Sequence, residues 1–160
     1  MFLNPLTLLM ILKGVHVTSA AVWIGSIISV SLAVRIVRSI LASSSVEVSA
    51  ELGRRLRPLT RTSLYLTLGS GLLLAAQRGF LTALFTWPQS PTAAIALAKA
   101  VLGLMLVLLV EYHSILGNRL AGAGGTLGAS AARRRIYYVG WSAVMVSFAL
   151  AVLGTILRFR

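Results

Sequence analysis

Residues 136–157 read IYYVGWSAVMVSFALAVLGTIL, twenty-two positions in a row without a charged side chain. A bilayer's hydrocarbon core takes about 20 mostly apolar residues of α-helix to cross, and this stretch is long enough to do so. Three others qualify on the same reasoning. Pro5–Val34 is interrupted only by Lys13, Leu59–Gln77 follows Pro58 with Arg61 in its first turn, and Thr92–Val110 is interrupted only by Lys99. The expectation is an all-α, integral membrane four-helix bundle, one transmembrane domain over residues 1–160.

Composition supports the same class. Of 160 residues 58% are hydrophobic and 11% charged, whereas soluble domains carry about 25% charge. Too little polar surface exists to cover a water-soluble fold. The apolar content rules out disorder, and the absence of cysteine rules out a disulfide scaffold, cysteine-ligated zinc and iron–sulfur chemistry. A net charge of +12 on so apolar a chain points to a lipid bilayer and not to nucleic acid.

The arginines give an orientation. Arg35, Arg38, Arg54, Arg55, Arg57 and Arg61 lie in or beside the first connection, and Arg119 and Arg133 to Arg135 in the third, against Arg78, Arg158 and Arg160 elsewhere. Positive-inside bias then places those two loops in the cytoplasm and both termini outside, in the plasma membrane of a prokaryote. Trp87, Phe80 and Phe85 are expected at the outer interface. Ser19-Ala20-Ala21 resembles a signal-peptide cleavage site, but Met1–Leu12 lacks Lys and Arg, so the segment reads as a retained first helix.

Within the first cytoplasmic loop, Ser44-Ser45-Val46-Glu47 has capping-box spacing, and Val48, Leu52 and Leu56 follow at helical intervals. This predicts a short interfacial helix that ends or kinks at Pro58. Ala121–Ala132, rich in Gly, Ala and Ser, reads as a flexible loop. Small-residue ridges (Ser63, Thr67, Gly71, Ala75; Gly25, Ser29, Ala33; Ser147, Ala151, Thr155) are expected to serve close helix packing.

Charge within a span is expensive, so Lys13, His16 and Lys99 are the candidates for function, with Glu111 and His113 at the inner edge. His16 lies nineteen residues before Arg35, about 28 Å up the helix. Lys99 lies about 20 Å above Tyr112, and His113 lies at the inner surface. The two histidines therefore cannot share one haem within a monomer, since bis-His ligation needs both rings at one level. His16, Ala20, Trp23 and Ile27 form one stripe, with Lys13 a turn away. Such a stripe could hold a porphyrin or an acidic group; the alternative is an interior histidine satisfied by a carbonyl or hydroxyl. Thioether and imidazole suit Cu(I), yet Met10 and His16 fall on different helix faces. Neither a phosphate-binding glycine loop after a strand nor a Ser-His-carboxylate set is suggested.

Leu12-Lys13-Gly14-Val15-His16 followed by Trp23-Ile24-Gly25 resembles the first-helix signature of the CopD-like and HemJ-like membrane proteins, a His with Trp-x-Gly seven residues on. Arg54-Arg55-Leu56-Arg57-Pro58, leading to Gly71-Leu72-Leu73, is similar to the start of that family's next helix. Leu97-Ala98-Lys99 resembles its Lys-containing helix, with His113 near that helix's end. The resemblance implies haem b on His16, lined by Trp23 and Lys99; the reading built on it is a haem-b-binding membrane protein with an electron-transfer role near the outer leaflet, Lys13 and Lys99 pairing with propionates or an anionic substrate, and a quinone or other membrane redox partner. It also implies two alternatives, copper handling and protoporphyrinogen oxidation. An Asn-Glu-x-Pro segment of the HemJ-like branch is replaced by Ile136-Tyr137-Tyr138-Val139-Gly140-Trp141, which weighs against the oxidase activity more than against haem. A non-catalytic small subunit of a larger membrane complex, or a homo-oligomer, is the remaining reading.

Overall fold

A computed structural model of the chain describes residues 4–40, 45–81, 90–122 and 129–158. They form four helices: α1 (Pro5–Ile40), α2 (Ser45–Gln77), α3 (Pro91–Gly122) and α4 (Ala129–Arg158). α1 and α3 begin alike, with a capping residue followed by proline. Asn4 Oδ1 accepts the Leu6 N–H at 3.0 Å, and Ser90 Oγ accepts the Ala93 N–H at 3.1 Å. Proline at the first helical position gives up only an N–H that would have lacked a helical partner. α2 stops where Gly79 takes φ +70° and donates its N–H to the Ala76 carbonyl, a conformation glycine adopts without a Cβ clash.

Three helices contain stretches long and apolar enough to cross a membrane: Pro5–Val37, Pro91–Arg119 and Arg134–Leu157. The expected crossing Leu59–Gln77 is not among them: α2 is the most polar helix, with Glu47, Glu51, Arg54, Arg55 and Arg57 in its first half and Arg61 and several hydroxyl residues among the leucines of its second.

The helices are longer than the spans read from hydropathy. α1 continues past Val34 to Ile40, α3 past Val110 to Gly122, and α4 begins at Ala129, seven residues ahead of Ile136. Helix formation does not stop at a hydrocarbon boundary, and Arg, Leu and Ala are all strong helix formers. The separate interfacial helix is likewise absent as such, since α2 runs unbroken from Ser45 through Pro58 to Gln77. Pro58 lacks an N–H for the Arg54 carbonyl, but it sits on an exposed face where water can serve that carbonyl. Leu56 and Thr60 on either side remain on the packed face and hold the helix in register. Ser44 of the capping box, Trp87 and Phe85 lie outside the described residues, as does the loop's core, 123–128.

The chain divides into two compact units, residues 1–79 and 80–160. The first pairs α1 with α2, and the second pairs α3 with α4. Each is an antiparallel hairpin whose closed end collects the arginines: Arg35, Arg54, Arg55 and Arg57 in hairpin 1, Arg119, Arg134 and Arg135 in hairpin 2.

Packing in both hairpins follows a heptad. Protected positions on α1 step by three and four (Leu12, His16, Ser19, Trp23, Ser26, Val30), as do those on α2 (Leu56, Thr60, Ser63, Thr67, Ser70, Leu74). α3 repeats the pattern with Ile95, Lys99, Leu102, Leu106, Leu109 and His113. α4 does so with Val139, Ala143, Val146, Leu150, Leu153 and Leu157. A 3.5-residue period is the signature of left-handed, knobs-into-holes packing. Each of these α3 and α4 positions stands 83 residues after its α1 or α2 counterpart. The chain is thus two hairpins of one design, in the same register, with different side chains in the seam.

Candidate functional site

The seam of hairpin 1 is polar. His16, half-buried on α1, places Nδ1 2.8 Å from the Thr67 carbonyl oxygen and 3.2 Å from Ser70 Oγ on α2. A carbonyl only accepts, so Nδ1 carries the proton, and in the neutral ring the lone pair resides on Nε2. Ser70 Oγ in turn donates to the Leu66 carbonyl. Lower in the seam Thr67 Oγ1 lies 3.0 Å from Ser19 Oγ, linking the helices a second time. Ser19, Ser63 and Ser70 are buried, and each also donates to a carbonyl of its own helix. These donations commit the hydroxyl protons to backbone, so the cluster fastens and orients.

Gly71 makes room for the ring. A Cβ at that position would stand 3.0 Å from His16 Cε1 and 3.3 Å from Nδ1, so the Nδ1–Cε1 edge of the imidazole lies directly on the α2 backbone. Hairpin 2 repeats this device twice. A Cβ at Gly154 would stand 3.4 Å from Lys99 Nζ, and one at Gly140 would stand 3.4 Å from His113 Nε2. Lys99 holds the register position of His16, and Gly154 that of Gly71. Both hairpins therefore carry a nitrogenous side chain against a glycine at the same point of the seam.

The expected site residues distribute as follows. His16 gathers Ser19, Thr67, Ser70 and Gly71. Trp23, 3% exposed, is buried in the same seam two turns further along. Lys13 is exposed and Lys99 belongs to hairpin 2. Met10 is exposed on α1, and among the described residues no group of three His, Asp or Glu side chains gathers to hold a metal. Thr67 appeared in the sequence only as part of a small-residue ridge, and Ser70 not at all. Their signal was a Thr-x-x-Ser-Gly cluster in a helix otherwise of leucine, which marks a face reserved for a polar partner.

At the closed end of hairpin 1, Glu51 bonds Arg55 Nε at 2.7 Å and Arg54 at 3.1 Å. The hydrogen bond from Arg55, reinforced by the Arg54 charge, holds the Glu51 carboxyl below its ordinary value. A carboxyl lowered on folding stabilises the fold at pH above its unfolded value near 4.5, and that contribution is lost as pH falls through the lower folded value. Protection of the amides around residues 48–55, measured as hydrogen exchange against the intrinsic rate at each pH, should therefore fall below about pH 4.5, and Glu51→Gln should abolish that acid step. An acid step that persists in the variant would place its origin elsewhere.

No family model, curated protein or solved structure matches the chain.

Proposed function

We propose that the protein is a multi-pass protein of a prokaryotic plasma membrane. Its two hairpins pack as a four-helix bundle with both termini outside, and it holds haem b on His16 for electron transfer near the outer leaflet. The observation that carries this reading is the bond from His16 Nδ1 to the Thr67 carbonyl. Histidines that ligate metals characteristically donate their other ring nitrogen to a carbonyl or carboxylate, which fixes tautomer and ring orientation and raises the basicity of the ligating atom. Here Thr67 supplies that acceptor, Ser70 adds a second, and Gly71 lets the ring seat against α2. The residues thus fit an axial ligand, and haem bound there would supply one-electron chemistry.

The arginines gathered at the closed end of each hairpin, against Arg78, Arg158 and Arg160 elsewhere in the sequence, support the cytoplasmic assignment of both turns. Lys13 and Lys99 are the cations proposed to meet propionates or an anionic substrate, and a quinone is the proposed partner. Copper handling and protoporphyrinogen oxidation rest on the family resemblance alone.

A reduced-minus-oxidised spectrum of the purified protein tests the proposal. A Soret band is expected in the wild type, lost in His16→Ala and kept in Lys13→Ala. A wild-type protein without a Soret band after expression with ample haem, or a band unchanged by His16→Ala, would make His16 an interior histidine satisfied by α2.

A further inference from the structure

The hairpins share a register but balance the charge at their closed ends differently. In hairpin 1, Glu51 takes both Arg54 and Arg55, three and four residues on. The same three register positions in hairpin 2 are Arg134, Tyr137 and Tyr138, so an arginine stands where the carboxylate stood and two phenols stand where the arginines stood. Arg134 lies 5.6 Å over the Tyr138 ring, and Tyr137 meets Tyr138 and Trp141 edge to face at 5.8 and 6.2 Å. α4 contains no Asp or Glu, and the only acidic residue in 80–160 is Glu111.

We infer that this end of α4 is a docking surface for an anionic phospholipid headgroup. Three observations together select that occupant. Arg134 and Arg135 form a cationic pair that its own helix cannot neutralise, so charge complementarity calls for an anion from outside. Arg134 opens the apolar stretch Arg134–Leu157, which sets the pair at the mouth of a membrane-crossing segment. Tyr137, Tyr138 and Trp141 are 60%, 54% and 54% exposed, one to two turns deeper, where amphipathic rings favour the boundary between headgroups and acyl chains. Tyr138 steers the Arg134 guanidinium by cation–π contact, and the guanidinium fork suits a phosphate. An acidic protein or a nucleic acid would satisfy the charge, but neither suits rings set one to two turns inside the mouth of a membrane-crossing segment, where headgroups meet acyl chains. This inference needs α4 to enter a bilayer and is independent of haem.

Native mass spectrometry of the full chain in mild detergent, titrated with phosphatidylglycerol or phosphatidylcholine, tests it. The wild type should retain phosphatidylglycerol in preference to phosphatidylcholine. Arg134→Gln/Arg135→Gln should weaken that retention by about thirtyfold, roughly fivefold per surface charge. Arg134→Lys/Arg135→Lys, which keeps charge and fold, should lose only a small part. Arg54→Gln/Arg55→Gln in hairpin 1 should change it little, because Glu51 already balances those arginines. Equal retention in the Arg134→Gln/Arg135→Gln protein with unchanged helical circular dichroism would overturn the inference. So would equal retention of both lipids, displacement by millimolar inorganic phosphate as effective as by the lipid, or tighter capture of an acidic peptide or RNA than of phosphatidylglycerol.

Discussion

Gly71→Leu is expected to destabilise hairpin 1 by about 2–4 kcal/mol and to abolish any absorption that depends on His16. Even the first atom of the new side chain would arrive 3.0 Å from His16 Cε1, and the ring is held from behind by α1. Overpacking of this kind costs about 1–3 kcal/mol. Displacing the ring also strips Nδ1 of its partners on α2, which costs about another 1 kcal/mol in a membrane interior. Unfolding in mixed micelles, followed by circular dichroism, measures the loss. Three controls tie it to this contact. Gly69→Ala, two residues away with nothing within 4 Å, should be neutral or stabilising through better helix propensity. Gly154→Ala should cost less than Gly71→Ala, because Lys99 Nζ is the end of a flexible chain and can move. His16→Ala added to Gly71→Leu should recover part of the loss, since truncating the ring vacates the space. Strictly additive losses from the two substitutions would mean that they do not meet.

Four helices and the gathering of arginines were legible in the sequence, because apolar runs and clustered charge are properties of composition along a line, but three of the four expected crossings, and not Leu59–Gln77, are apolar enough to span a membrane. That His16 would find a carbonyl and a hydroxyl was also legible, and Thr67 and Ser70 supply them; so was the stripe through Ala20, Trp23 and Ile27, which is protected within hairpin 1. What hydropathy could not give was the seam itself. In a soluble helix the buried face declares itself by contrast with a polar one. Here Val101, Leu104 and Leu108 face away from α4 and are as apolar as Leu102, Leu106 and Leu109 that face it, so the contrast is nil. For the same reason Gly25 and Ser29, grouped by spacing with Ala33 as a packing ridge, are exposed within hairpin 1, while Trp23 and Ser26 take the seam. The helix ends escaped for a different reason. Hydropathy marks where lipid stops, whereas α1 reaches Ile40, α3 reaches Gly122 and α4 begins at Ala129, several residues into the polar sequence. The 83-residue register was invisible because it resides in which positions pack and not in which residues fill them.

Phe148→Arg is expected to cost about 2.5–3.5 kcal/mol of membrane insertion, the penalty for a cation near the middle of a span. Phe148 is 69% exposed, lies fourteen residues beyond Arg134 on α4, and makes no part of the seam. In a water-facing helix an exposed phenylalanine exchanged for arginine costs almost nothing, since no packing is lost and the charge is solvated. The size of the effect therefore reports what covers this face. Depth supplies the internal comparison: Tyr138→Arg, one turn from Arg134, can extend its guanidinium to the headgroups and should insert nearly as well as wild type. Glycosylation mapping of the 134–157 segment, with Phe148→Leu as reference, gives the insertion free energies. A difference of about hundredfold between the two arginine variants is the expected result. Equal insertion of Phe148→Arg and Tyr138→Arg would take α4 out of the bilayer, and with it the depth argument for the arginines at its mouth. Were the face instead covered by another subunit, as in a larger membrane complex, insertion of the isolated segment would still fall with Phe148→Arg. The full chain would then also lose a stoichiometric partner on purification, which a lone bundle in lipid would not.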